Sequence, residues 1–425
     1  MTDTRVGRAA GGDVPPRDAG RPRDVPARDR LARNRPSRDR LARNRPSRDG
    51  LARDAALALR TWLASRTLLV ALALAAPALL RLPEGPALNS AAWPLNRLAG
   101  WDSWHFTRIA EGGYLPPGLP CCDQAFFPGY PLLIRAVMPL VAGSALAAGL
   151  AVTALSGAVA AVALRRLALL RTGNEQVARR AVLYLAIAPT GIFLTAVYTE
   201  AMFLALSVAA WLAASRRRWW WAGLLAAGAA TVRVNGLLLA AALAVLYAEQ
   251  LRRDRSWRPR KDVLALLAPV LATGTYLGYL AARTGSAGAW QEAQAQGWAR
   301  RTAWPWQGLA AGWGALWQDA PGFLILSRWA DLVAVLAGFA LAVALLRLRR
   351  LAEGVYVGLN VASLVCSTLI VSAPRYALLW FPGYLLLAEQ ATKPGWRWLR
   401  GTVPAVCVPL LGILTVLFAT HFWVA

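Results

Sequence analysis

After residue 54 the chain alternates between apolar runs of membrane-crossing length and short clusters of arginine. About 20 consecutive apolar residues are needed to cross the hydrocarbon of a bilayer. Measured that way, 62–82, 145–164, 177–196, 198–214, 263–282, 323–346, 355–371, 376–391 and 403–423 each predict one span. The stretch 219–246 is too long for one span and too short for two full ones. With Arg233-Val234-Asn235-Gly236 at its middle, it predicts two short spans meeting near one face. Two long segments, 83–143 and 283–322, are left as loops, and the first carries semi-apolar stretches suited to short helices at or dipping into the interface. The expectation is an all-α, polytopic helical bundle of about eleven spans.

Composition excludes the main alternative. Of the 425 residues, 57% are hydrophobic, and mean hydropathy is +0.40. That is more apolar surface than a water-soluble core of this size hides, so lipid is a partner. A net charge of +25 would suggest nucleic acid in a soluble protein. Here the cations crowd the N-terminal segment and the short turns near 165–171, 216–218, 252–262, 347–350 and 393–400, the pattern of cytoplasmic loops, so no nucleic acid is expected.

Residues 1–54 are rich in Arg, Asp and Pro, and 28–37 is repeated at once as 38–47. We read this segment as a disordered, basic cytoplasmic tail able to touch anionic lipids, and not as a signal peptide. The N-terminus is then cytoplasmic, and 55–425 is the membrane domain. Trp219-Trp220-Trp221 after Arg216-Arg217-Arg218 reads as an inner-face aromatic belt beside a cationic clamp. Of four cysteines, Cys121 and Cys122 are adjacent and allow a vicinal disulfide, while Cys366 and Cys407 lie in apolar runs. Neither a disulfide framework nor a metal site is expected.

Counting spans has a consequence for the remaining charges. Asp102, Glu200, Arg233, Arg300 and Arg375, from five separate segments, all fall on or near the external side. An ionised group inside the membrane costs roughly 2.5–3.5 kcal/mol or more, so such groups pair or serve a site.

The first loop contains Trp101-Asp102-Ser103-Trp104-His105-Phe106-Thr107-Arg108-Ile109-Ala110-Glu111-Gly112-Gly113-Tyr114. Its spacing predicts a short amphipathic helix ended by the glycines, with Asp102 in the first turn. One reading is an interfacial helix with an ordinary capping acid. The other is a sugar site, in which an indole covers the apolar face of a pyranose and the carboxylate takes a hydroxyl proton. His105, one turn on, suits a hydrogen bond to Asp102, a contact with substrate, or a polar tip at the interface.

These residues belong to an ordered series. Trp101-Asp102, His105-Phe106, Ile109-Ala110 and Gly113-Tyr114 are followed by Ala125-Phe126-Phe127-Pro128-Gly129-Tyr130-Pro131, Pro189-Thr190, Tyr198-Thr199-Glu200, Arg233-Val234-Asn235-Gly236, Trp298-Ala299-Arg300, and Pro374-Arg375-Tyr376 with Phe381-Pro382. In this series the chain resembles the PIG-V-type mannosyltransferases of the GT-C class of membrane glycosyltransferases. The resemblance implies transfer of mannose, with inversion, from a polyprenyl-phosphate-mannose donor to a lipid-linked or glycan acceptor outside the cytoplasm. It implies Asp102 as general base, with Trp101, His105, Tyr198 and Glu200 binding or orienting substrate. A lipid monophosphate leaving group needs no cofactor, and the sequence has no Asp-x-Asp motif for a metal-bound nucleotide.

Arg375, then Arg233, with Arg300, are the expected donor-phosphate ligands, because a guanidinium can meet phosphate oxygens in pairs. For Arg375 and Arg233 the plainer alternative is a structural ion pair with Glu200. Gly129 and Asn235 depart from the pattern, standing where a bulkier residue and a proline are expected. Composition, rich in Ala, Arg and Leu, points to a bacterial inner membrane. The competing function is a transporter or lipid flippase, whose paths also carry intramembrane charge, or a related enzyme using another lipid-phosphate sugar.

Overall fold

The computed structural model describes residues 48–79, 94–115, 122–255 and 260–424. The predicted tail lies outside the described residues, except its end from Arg48, which is already helical. All regular structure among the described residues is helical: α1 (Arg48–Leu79), α2 (Ser103–Gly112), α3 (Gly129–Val137), α4 (Ala145–Thr172), α5 (Glu175–Ala186), α6 (Glu200–Ser215), α7 (Trp219–Val232), α8 (Asn235–Arg253), α9 (Ala268–Thr284), α10 (Ala289–Trp298), α11 (Pro305–Ala315), α12 (Gly322–Arg347), α13 (Leu351–Val365), α14 (Ala373–Ala377), α15 (Phe381–Gln390) and α16 (Leu399–Ala419). Five segments among the described residues are long and apolar enough to cross a membrane: Ala52–Ala78, Ala145–Thr172, Lys261–Thr284, Gly322–Arg347 and Pro394–Ala419. The chain is a multi-pass membrane protein. α4, α6 and α7 pack in series, α13 packs against α8 and α12, and α1 joins α4 to α16.

Local chemistry sets the breaks. Ser144 caps α4 by accepting from the Ala147 N–H, and Gly173 ends it with φ of 61°. The next residue, Asn174, starts α5 by accepting from the N–H groups of Gln176 and Val177. A helix stop and a helix start side by side make this turn tight. In the 219–246 region the helix breaks at Arg233, which is extended (φ −153°, ψ 147°). Gly236 permits the return, because a Cβ there would lie 2.3 Å from Ala230 Cα.

The stretch 177–196, read as one span, is helical only to Ala186. From there to Thr199 the backbone is irregular apart from a 3-10 turn at Gly191–Leu194. Pro189 cannot donate to a helix ladder, and buried irregular backbone needs other partners. They come from Arg66 on α1, which donates to Gly191 O at 2.8 Å, to Thr195 Oγ1 at 3.1 Å and to Ala186 O. Its guanidinium also stacks on Trp62, 4.4 Å from the ring centre. This bracing leaves a non-helical segment beneath the site.

Candidate active site

The first loop is sewn onto that irregular segment. Val197 N–H donates to Leu98 O at 3.0 Å and Ser103 Oγ to Val197 O at 3.0 Å. The Tyr198 hydroxyl donates to Gly100 O at 2.9 Å and accepts the Asp102 N–H at 3.3 Å. Asp102 stands at the N-cap of α2 but makes no side-chain cap bond. Trp101 before it is held at φ 57°, in the left-handed region, and its ring meets Trp423 edge-on at 5.1 Å. The ordinary capping role is thus not taken, and the carboxylate is turned to another partner.

That partner is Arg375, whose Nη1 donates to Asp102 Oδ2 at 2.8 Å. Arg375 Nε lies 3.0 Å from Glu200 Oε1, and the same oxygen accepts from Arg233 Nη1 at 2.7 Å. Arg233 also donates to Thr199 Oγ1 at 2.8 Å. The result is an alternating chain of charge, Arg233, Glu200, Arg375, Asp102. Glu200 is 0% exposed and the two arginines 8% each. Buried ions of this kind persist only when each is matched. The α14 turn bearing Arg375 is held in place by Thr190 Oγ1 donating to Pro374 O at 3.0 Å, and by Asp331 Oδ1 accepting from Ala373 N–H at 2.7 Å.

Arg300 approaches from a third direction. Residues after α10 zip against those after α13: Thr368 N–H donates to Arg301 O at 2.9 Å, and Ala303 N–H to Cys366 O at 3.1 Å. Arg300 Nε donates to Ser367 Oγ at 3.1 Å, and Nη1 lies 3.5 Å from the Tyr376 hydroxyl. Tyr376 in turn places its ring 4.8 Å from the Arg233 guanidinium. Unlike Arg233 and Arg375, Arg300 contacts neutral groups and no carboxylate among the described residues.

Asp102, Arg233, Arg300 and Arg375 all line one cavity of about 730 Å³, walled by Trp290, Trp298, Phe126, Tyr376 and Trp423. Glu200 and Tyr198 lie behind that wall and hold its charged members. His105 and Trp101 do not line it. His105 pairs instead with Asp123, Nδ1 to Oδ1 at 2.8 Å, and Arg108 Nε donates to the other oxygen of Asp123 at 2.8 Å. His105 also stacks on Phe126, with centres 4.5 Å apart, so it braces the wall and makes no bond to Asp102.

Tyr114 holds the same loop by donating to Phe126 O at 2.7 Å. Burial, with Tyr276 alongside, pushes its phenol well above the usual value, which keeps it a donor. Cys122, next to Asp123, is disulfide-bonded, whereas Cys366 and Cys407 are free; Cys121 lies outside the described residues. Gly129 proves necessary: a Cβ there would meet Thr231 Oγ1 at 2.4 Å. Asn235 uses its amide to donate to Asn360 Oδ1 at 2.8 Å, linking α8 to α13. Sequence reasoning missed Tyr376 and Trp298 as wall residues, although both sit in quoted motifs beside Arg375 and Arg300.

Fold and cavity define a multi-pass helical protein that presents two carboxylates, Asp102 and Glu292, and an excess of arginine to an aromatic-walled space, suited to a ligand with hydroxyls and a phosphate. Residues 67–275 match the family model for mannosyltransferase (PIG-V). The chain is 39% identical to mouse GPI alpha-1,6-mannosyltransferase 2 over 165 residues, 37% of this chain and 33% of the relative. It is 39% identical to the rat protein and 36% to the human one, each over 153 residues, 34% of this chain and 30% of the relative. The match therefore spans about a third of the length of these relatives. No solved structure matches. Over the matched residues the chain is similar to the PIG-V mannosyltransferase family. Asp102, Tyr198, Glu200 and Arg233 lie inside the segment matched by the family model; Arg300 and Arg375 lie beyond it.

Proposed function

We propose that the protein is an inverting membrane mannosyltransferase, using a polyprenyl-phosphate-mannose donor and a lipid-linked or cell-envelope acceptor, with Asp102 as general base. The observation that carries this reading is the carboxylate itself. Arg375 fixes Oδ2, Oδ1 has no protein hydrogen bond among the described residues, and the group lines a cavity rich in indole and guanidinium. Of the other carboxylates nearby, Glu200 is occupied by two arginines, and Glu292, on the cavity wall, accepts from Ser286 Oγ at 2.6 Å. Inversion needs one free base, whereas double displacement needs a free nucleophile as well. The relatives' names specify mannose, which supports the sugar.

In the proposed reaction the acceptor hydroxyl oxygen attacks the anomeric carbon of the donor and gives its proton to Asp102. The bond from that carbon to the phosphate oxygen breaks, and its electron pair leaves with the polyprenyl phosphate. Arg300, which pairs with no carboxylate among the described residues, is the first contact for that phosphate; Arg375 and Arg233 add field from behind. Trp298 and Trp290 offer flat surfaces to the sugar. The 1–54 tail and the cytoplasmic N-terminus complete the proposed arrangement. In it, pairs of shorter helices bring the crossings to about eleven in a bacterial inner membrane, with the cavity outside.

Purified protein assayed against a panel of polyprenyl-phosphate sugars tests the reading. Mannose transfer with inversion is expected; transfer of another sugar alone, or lipid movement without transfer, overturns it. In a cysteine-free background, cysteines at Gly314 and Gly395 should label from opposite sides of the membrane.

A further inference from the structure

A second cavity, of about 660 Å³, is lined by Arg217, Arg218, Trp219, Trp220, Trp221, Arg260, Lys261 and Asp262. It sits at the start of α7, whose other end leads into Arg233 of the catalytic cavity. Fourteen helical residues separate the two by roughly 20 Å. The two cavities share no residue.

Cations outnumber carboxylates in this wall as well. Arg217 is matched by Asp254, Nη1 to Oδ2 at 2.5 Å and Nη2 to Oδ1 at 3.0 Å. Asp262, the one carboxylate in the wall among the described residues, accepts from the Tyr247 hydroxyl at 3.1 Å. That hydroxyl also accepts the Arg260 N–H at 2.9 Å, and the Tyr247 ring packs edge-on against Trp219 at 4.8 Å. Tyr247 therefore fixes both walls and keeps Asp262 in place. Arg218, Arg260 and Lys261 have no carboxylate within ion-pair distance among the described residues. Beside them Trp220 and Trp221 are 61% and 60% exposed. Such indoles settle at the headgroup level of a bilayer, where cations meet lipid phosphates.

We propose that this cavity binds the phosphate-bearing headgroup of an anionic phospholipid, with Arg218, Arg260 and Lys261 on the phosphate and Trp220 and Trp221 along the glycerol and upper acyl region. The lipid is a structural ligand of the bundle, separate from donor and acceptor. The lipid source is favoured over a soluble phosphate because the exposed indoles continue the apolar surface of α7 and of the span Lys261–Thr284.

The test is thermal unfolding of the full chain in detergent, titrated with dioctanoyl-phosphatidylglycerol, dioctanoyl-phosphatidylcholine or inorganic phosphate. A ligand that binds only the folded state raises the midpoint in proportion to its occupancy. Phosphatidylglycerol should raise it saturably and phosphatidylcholine should not. The double variant Arg218→Gln/Lys261→Gln should bind on the order of 30-fold more weakly, the loss expected from two headgroup cations. All these side chains are exposed, so the variant's lipid-free midpoint should match the parent's; Arg260→Gln serves as a second variant. The pair Arg349→Gln/Arg397→Gln, elsewhere on the surface, should leave affinity within about twofold. Equal stabilisation by phosphatidylcholine, undiminished affinity in both site variants, or equal loss in the control pair overturns the proposal. Stabilisation by inorganic phosphate matching that by phosphatidylglycerol would assign the cavity to a free anion and overturn the lipid.

Discussion

Replacing Asp102 by Asn removes the proposed base while disturbing little else. The amide oxygen of Asn can accept from Arg375 Nη1 where Oδ2 does now, at 2.8 Å, and Arg375 keeps Glu200 at 3.0 Å. The Asp102 N–H bond to Tyr198 and the turn at Gly100 are untouched. Folding and donor binding should therefore survive. Loss of general-base assistance typically costs 10²–10⁴-fold, equivalent to about 3–5 kcal/mol on the barrier. The assay is transfer of labelled mannose from polyprenyl-phosphate-mannose by purified enzyme, with kcat and KM separated and the thermal midpoint measured on the same sample. Expected are a kcat at least 100-fold lower, a donor KM within about threefold, and an unchanged midpoint. A kcat within tenfold of the parent would refute the base assignment. A fall in the midpoint matching the loss of activity would make Asp102 a structural ion-pair member only.

Arg300→Gln should raise the donor KM at least tenfold with a smaller effect on kcat, and Arg300→Lys should restore part of it, since charge without the planar fork meets a phosphate less well. Tyr198→Phe removes the donor to Gly100 O and the acceptor of the Asp102 N–H; kcat should fall about tenfold with KM steady, as a positioning loss of roughly 1–3 kcal/mol. Gly129→Ala forces a Cβ to 2.4 Å from Thr231 Oγ1, so the unfolding midpoint should drop, consistent with about 1–3 kcal/mol of overpacking, while Gly112→Ala, with open space around its Cβ, should not move it.

Much of the site was legible because charge in an apolar chain is conspicuous. Parity of the spans alone gathered Asp102, Glu200, Arg233, Arg300 and Arg375, and they do converge around one cavity. The break at Arg233 was likewise written in a run too long for one helix. What local pattern could not supply was partnership. Asp102 and Arg375 are separated by 273 positions, and nothing in periodicity says which arginine reaches which acid. For the same reason His105 was weighed as a partner of Asp102, one helical turn away, when Asp123 holds it. The irregular stretch before Glu200 was read as helix because its residues are apolar; Arg66, on a distant helix, supplies the hydrogen bonds that let it be otherwise.

The alternating chain from Arg233 to Asp102 also bears on how this protein can vary. Each member has its neighbour as counter-charge, so a change at one is felt along the row, and substitutions there should combine far from additively. Arg300 and Trp298 stand on a separate strip, attached by backbone bonds to the residues following α13, and carry no such obligation. Altered sugar or acceptor preference is therefore most accessible, to selection or to an engineer, on that second strip, while the ionic row stays as it is.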